Sequence, residues 1–159
     1  MNNIFLDTKK QIESLGFNVI GHDFNRPWGG FLLIDESQSK EFITKFILNY
    51  DLKIENKVSS KILIINPNSR LSWQYHYRRK EIWKVLKNNV GVIKSTDNNE
   101  TEMKICNMGD IIELHKEERH RLIGLSDFGI IAEIWIHTDP ANPSDENDIV
   151  RLQDDYARD

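Results

Sequence analysis

An all-β domain, either a sandwich or a barrel, is what this sequence predicts. Short apolar stretches recur from residue 62 to residue 137 at intervals of about ten residues, and turn-forming Asn, Asp and Gly residues separate them. Helical spacing is confined to the N-terminal third. Residues 4–15 predict a short helix that stops at Gly16, a residue well suited to a C-terminal cap. Phe17 to Asn25 reads as a lead into Arg26-Pro27-Trp28-Gly29, and Phe31-Leu32-Leu33-Ile34 as a buried strand. From Ser37 or Ser39, the apolar residues Phe42, Ile43, Phe46, Ile47 and Tyr50 recur at the spacing of an amphipathic helix, inserted between two early strands. Strands are then expected at 62–66, 71–77, 81–86, 90–95, 101–106, 110–114, 120–125 and 129–137. Asn88-Asn89 and Asp97-Asn98-Asn99 tolerate left-handed backbone and are assigned to hairpin turns. Thr138 to Asn147 is polar and turn-rich, leading the tail back over the barrel or onto a partner. No repeat, low-complexity tract or linker interrupts the chain. A single domain over 1–159 is expected, with an N-terminal extension to residue 60, a barrel over 61–137 and a tail over 138–159.

Composition narrows the function classes. With 39% hydrophobic and 9% aromatic residues, the 159-residue chain can bury a core without staples. A net charge of -4 argues against nucleic acid or an anionic membrane as the main partner. The start, MNNIFLDTKK, has neither a basic region nor a long apolar one, and no stretch resembles a membrane span, so a cytoplasmic protein is expected. Cys106 is the single cysteine and lies in a strand-like stretch, which favours a buried neutral thiol over a nucleophile.

The densest chemistry lies in Pro67 to Glu81, PNSRLSWQYHYRRKE. Gln74, His76 and Glu81 form the pattern Q-x-H-x4-E, offering an amide oxygen, an imidazole nitrogen and a carboxylate oxygen to a metal. On a strand, Gln74 and His76 share a face. Glu81 falls on the other face unless the chain turns or bulges through Tyr77-Arg78-Arg79-Lys80, so a turn is expected before a second strand starts at Glu81. Downstream, GDIIELHKEERHRLIG spans Gly109 to Gly124, with His120 opening an apolar run.

Together these two stretches resemble the paired motifs of the cupin superfamily, G-x5-H-x-H with a following Glu, and G-x5-P-x-G-x2-H. Asn68 stands in the place of the first glycine and Gln74 in that of the first histidine. His115 and Glu117 replace the Pro and Gly of the second motif, while Gly109 and His120 keep their places. A Gln at that position is seen in phosphomannose isomerases. The chain more specifically resembles the C-terminal cupin domain of the type II group, through Arg26-Pro27-Trp28-Gly29, Leu71-Ser72-Trp73-Gln74-Tyr75-His76 with Arg79, Glu81 and Trp83, His120-Arg121-Leu122, and Asp148-Ile149-Val150-Arg151 with Asp155-Tyr156-Ala157-Arg158. Ala157 stands where that family usually has glycine.

The resemblance implies an all-β cupin jelly-roll barrel with one or two short N-terminal helices. It implies one divalent metal ion held by Gln74, His76, Glu81 and His120, a set suited to zinc, with manganese, iron or cobalt as alternatives. It implies a phosphorylated-sugar ligand and aldose–ketose isomerase activity, most simply between mannose 6-phosphate and fructose 6-phosphate. For the phosphate, Arg78, Arg79 and Lys80 precede Glu81, and Arg121 follows His120. Arg79 and Arg121 match family positions, and Arg121 is also a candidate for catalysis, although on a strand it alternates with His120. Glu133 is the charged residue within the apolar run Ile130 to Ile136. Burial there would raise its pKa to that of a useful base, whereas on a half-exposed strand it would simply face water. His22, His115 and His137 are read as structural, and Trp73, Trp83 and Trp135 as barrel packing. Arg151 and Arg158 are assigned to substrate or to a dimer contact, and a homodimer is favoured because cupins commonly pair through their sheets. The nucleotidyltransferase that often precedes this domain is not expected in a chain this short. Isomerisation of another sugar phosphate, such as a heptose, oxygen-using chemistry, or metal-dependent sugar binding without catalysis are the rivals.

Overall fold

The computed structural model describes residues 3–47 and 57–158. A short helix, α1 (Ile4–Ser14), starts at Asn3, whose side chain accepts from the Leu6 amide, and ends before Gly16 at φ 95°. Two strands follow, β1 (Val19–Arg26) and β2 (Gly29–Ile34). The predicted amphipathic helix is a continuous helical stretch that loosens along its length. It begins as a 3-10 turn over Glu36–Gln38, becomes α2 (Ser39–Phe42), and ends as a π turn over Ile43–Ile47. Tyr50 of that prediction lies outside the described residues.

The remaining strands are β3 (Val58–Ile65), β4 (Trp73–Tyr75), β5 (Arg79–Lys87), β6 (Asn89–Ser95), β7 (Lys104–Asn107), β8 (Ile111–Leu114), β9 (Arg119–Gly124), β10 (Gly129–His137) and β11 (Val150–Gln153). They form two antiparallel sheets, one ordered β1-β2-β3-β10-β5-β8 and the other β11-β4-β9-β6-β7. This is the double-layered barrel expected of a cupin. β3 starts earlier than expected, at Val58, β4 is confined to Trp73–Tyr75 and β7 to Lys104–Asn107, and two strands are additional to those expected. β1 is a bulged edge strand whose polar His22, Asp23 and Asn25 hide it from an apolar-run reading, and β11 is made a strand by pairing with β4. Asn88 adopts φ 60° as expected, yet β5 and β6 belong to different sheets, so this turn carries the chain around a barrel corner and closes no hairpin. Asp97-Asn98-Asn99 does sit in the β6–β7 hairpin.

Two apolar cores flank the larger sheet. One packs Leu32, Ile62, Ile64, Ile130, Ala132, Ile134 and Ile136 against Ile12, Phe17, Phe42 and Phe46 of the N-terminal segments. The other fills the barrel between the sheets with Leu63, Ile65, Val85, Val90, Val92, Leu114, Leu122 and Ile131. Gly29 of the Arg-Pro-Trp-Gly motif is required by close approach, since a Cβ there would lie 2.0 Å from the Ile64 carbonyl oxygen. Trp73 departs from expectation. It shares β4 with inward-facing Gln74 but points to the outside of the smaller sheet, where its indole N–H donates to the Asn98 carbonyl at 2.8 Å. Cys106 is half-buried, and that partial burial, with Asp110 nearby, pushes its thiol pKa up. No described helix is long and apolar enough to cross a membrane.

Candidate functional site

Strand pairing brings the two motifs together at one end of the barrel. Gln74 of β4 lies directly opposite His120 of β9. After β4 the chain turns through His76 and joins the other sheet at Arg79, two residues earlier than expected, so Arg79 and Glu81 share the inward face of β5. His76 Nε2 and His120 Nε2 lie 3.3 Å apart. Glu81 Oε2 is 3.6 Å from the first and 3.0 Å from the second. Gln74 Nε2 is 3.4 Å from His76 Nε2. Four ligand atoms around a tetrahedral zinc at about 2.0–2.1 Å stand about 3.3–3.4 Å from one another, so the existing spacings fit such an ion. His76, Glu81 and His120 therefore form a buried cluster able to hold a metal. Gln74 turns its nitrogen inward, and Ser72 Oγ donates to its oxygen. A half-turn of the amide presents the oxygen to the cluster and leaves Ser72 to accept from the nitrogen.

Each histidine is aimed by its other ring nitrogen. His76 Nδ1 donates to the Asp148 carbonyl at 2.7 Å, and His120 Nδ1 donates to the Glu118 carbonyl at 2.9 Å. Both Nε2 atoms are thereby directed at the cluster, the arrangement that orients metal-ligating imidazoles. Burial pushes the His76 pKa down to about 3, so its Nε2 stays unprotonated, and there it accepts from Arg79 Nη2 at 3.2 Å. Burial is the largest influence on Glu81 and acts to raise it, but the Arg79 guanidinium, His76 and His120 together outweigh burial and hold the carboxyl well below the usual carboxylate range. Glu81 Oε2 has no hydrogen-bond partner among the described residues. A lone pair and an ionised oxygen aimed at one point are the donor set a divalent cation satisfies.

Asp148 is anchored in turn. Its carboxylate accepts from the Tyr77 amide at 2.9 Å, the Arg78 amide at 3.0 Å and Ser144 Oγ. The turn before β9 serves both histidines, because the Glu117 amide donates to the His76 carbonyl at 2.9 Å while Glu118 receives His120.

Above the cluster opens a cavity of about 300 Å³ whose lining includes Gln74, Arg79, Glu81, Trp83, Glu133 and Trp135. The register of β10 explains its polarity. Ile131 pairs with Leu63 and Val85 within the apolar core, whereas Glu133 pairs with Lys61 and Trp83, Trp135 with Ser59 and Glu81, and His137 with Arg79. Two residues per step, the inward face thus passes from hydrocarbon to ionisable groups. Glu133 Oε2 accepts from Trp83 Nε1 and its Oε1 from Trp135 Nε1, both at 2.8 Å. Burial, reinforced by the Glu81 charge, pushes its pKa up to about 7.

Among the expected phosphate-binding cations, only Arg79 lines this cavity, where its guanidinium lies 3.5 Å over the Trp135 ring and donates to Ser144 Oγ at 2.9 Å. Arg78 faces Asp145 and the Pro143 carbonyl. Lys80 alternates with Arg79 and Glu81 and so points to the opposite face of β5. Arg121 is 1% exposed on the outer side of the smaller sheet and ties the Leu71 carbonyl, Glu100 and Gln153 together. Its position next to His120 dictates this, since adjacent strand residues face opposite ways, and the catalytic and substrate roles expected of it are not served from there. Cations that do line the cavity are Arg26, Lys61, Arg151 and Arg158. The signal for Lys61 was available, because a charge opening the run Ile62 to Ile65 mirrors Glu133 in its own apolar strand. His137 is structural as expected, with Ser59 Oγ at 2.8 Å and the Ser144 amide donating to it at 2.9 Å.

This fold and this donor cluster define the class as a cupin with a buried, metal-competent centre. A family model described as mannose-6-phosphate isomerase C-terminal matches residues 18–154, and the chain belongs to that family. No curated protein matches its sequence. Among solved structures, it is similar to a point mutant of Bacillus subtilis oxalate decarboxylase at 12% identity and TM-score 0.58, covering 80% of this chain and 29% of that one. The oxalate decarboxylase from Bacillus subtilis at pH 4.6 matches at 13% identity and TM-score 0.56, covering 79% and 28%. An oxalate oxidase in complex with glycolate matches at 18% identity and TM-score 0.48, covering 60% and 46%. The chain spans less than half the length of each of these structures, and the likeness to the two oxalate decarboxylase structures is one of fold.

Proposed function

We propose that the chain is a metal-dependent aldose–ketose isomerase of a phosphorylated sugar, with mannose 6-phosphate and fructose 6-phosphate as the pair to test first. The observation that carries this reading is a shared cavity, in which a carboxyl with pKa about 7, Glu133, stands with the carboxylate of the metal-competent cluster and a set of cations. Gln74, His76, Glu81 and His120 would hold the ion, with zinc first and manganese, iron or cobalt as alternatives. When bound, such an ion supplies Lewis-acid polarisation of the sugar carbonyl. Glu133 takes the proton from carbon 2 and returns it to carbon 1 while the hydroxyl proton passes from oxygen 2 to oxygen 1, and the indole N–H groups of Trp83 and Trp135 fix the direction of the two Glu133 oxygens. Arg79 places positive charge at the floor of the cavity, where negative charge develops on the substrate oxygens. Membership of a family that bears the isomerase name supports the reaction class.

The test follows metal-loaded protein with mannose 6-phosphate in deuterated water by NMR, against a chelated control. Fructose 6-phosphate should form, deuterium should enter the exchanging carbon, and Glu133→Gln should lose both. Absence of product and of exchange for every hexose phosphate tried would overturn the proposal.

A further inference from the structure

The cations of the cavity differ in what holds them. Arg158 is gripped by both oxygens of Asp154, a carboxylate that is only 3% exposed. Arg79 is committed to Ser144, the Asp145 carbonyl and the neighbourhood of Glu81. Arg26 pairs with Asp23 at the surface. Lys61 is different. Its side chain is 9% exposed, and its ammonium lies 3.8 Å over the Trp135 ring and meets Glu146 Oε1 at 2.7 Å, while the Glu146 side chain is 69% exposed.

That asymmetry has a consequence for exchange. A buried ammonium on a β-strand cannot follow its partner into water, and left alone it would bear an uncompensated desolvation cost. Glu146 sits on the loop before β11 and is already mostly hydrated, so swinging away costs it little. An incoming oxyanion can therefore take its place on Lys61 without any group being stripped of both water and partner. Trp135 beneath and Phe31 at 5.3 Å leave the side towards the cavity as the approach.

We infer that Lys61 is the anion anchor of this cavity, that the group it takes is a phosphoryl, and that Glu146 is a tethered stand-in which the ligand displaces. The inference rests on the reading of the cavity as the ligand site, but not on isomerisation. A phosphoryl is favoured over a second carboxylate because it carries more charge into a cavity that Arg26, Arg151 and Arg158 also line.

Calorimetric titration of the full chain with inorganic phosphate, and separately with acetate, tests this without turnover. Removing the competing carboxylate in Glu146→Gln should tighten phosphate about two- to fivefold, the scale of one exposed ion pair. Lys61→Met, checked for its native circular dichroism, should weaken phosphate on the order of 30-fold, the scale of losing a buried charge partner. Unchanged or weaker phosphate binding in Glu146→Gln would overturn the stand-in role, and that surface variant decides the point even if Lys61→Met does not fold. Undiminished binding in a folded Lys61→Met would overturn the anchor, and acetate binding more tightly than phosphate would overturn the phosphoryl assignment. Loss of isomerase activity with these results intact would remove the proposed reaction alone.

Discussion

Strand β10 is buried at every position, yet its two faces do different work. Ile130, Ala132, Ile134 and Ile136 enter the layer beneath the N-terminal helices, where they join an apolar cluster with Leu32, Ile62, Ile64, Phe42 and Phe46. Ile131, Glu133, Trp135 and His137 enter the barrel, where the polar groups are met by partners on the same strand, on neighbouring strands or in a loop. The difference teaches that one strand can supply stability on one side and chemistry on the other. Burial on the first face removes apolar surface from water, and burial on the second shifts the proton affinity of a carboxyl.

The comparison is broken most severely on the chemical face. Glu133→Gln should lower turnover by roughly 100- to 10,000-fold, the usual contribution of a general base, while the far-UV circular dichroism stays native. Because Glu133 is raised to about 7, activity should climb as pH rises through that value, and the variant should lose this limb of the rate profile. Stability runs the other way. The folded carboxyl keeps its proton after the unfolded one, whose ordinary value is 4.5, has released it. Chelated protein should therefore lose stability between those two values as pH rises, which denaturant titrations at several pH values would show, and Glu133→Gln should flatten that fall.

On the hydrocarbon face, Ile134→Ala should cost about 2–5 kcal/mol of unfolding free energy and leave metal affinity nearly unchanged in the folded protein. A smaller effect is expected from Asp148→Ala, which frees the carbonyl that aims His76. It should weaken zinc or cobalt binding about 10- to 100-fold by competition with a chromogenic chelator, with little change in strand content. The smallest lies in the tail. Ala157 holds φ 53° where glycine is unstrained, so Ala157→Gly should stabilise by up to about 1 kcal/mol, read from the denaturation midpoint.

Asn68 and Glu117 tell the same story as Ala157, since all three stand where the related motifs carry glycine and all three adopt left-handed backbone. The turn geometry was thus legible from the motif even where its glycine was lost. Most strands from β3 to β10 were legible as well, because they carry their own apolar runs, whereas the short β4 and β7, Trp-Gln-Tyr and Lys-Ile-Cys-Asn, carry none and were placed only roughly. β1 and β11 were not, because edge pairing with β2 and β4 makes them strands.

Residue order by itself gave the number and rough spacing of the central strands, because periodicity is a local property, while the resemblance to the paired cupin motifs singled out Gln74, His76, Glu81 and His120. Tertiary structure decided which of the expected cations enter the cavity. Arg79 and Lys61 do, while Lys80 and Arg121 face away and Arg78 is drawn to Asp145. The physical reason is parity. A side chain's face depends on where its strand begins and which sheet it joins, and a turn before Arg79 or a crossing at Asn88 resets both. The role of Asp148 has the same origin, since a backbone carbonyl 72 residues from His76 meets it only after β11 has closed against β4.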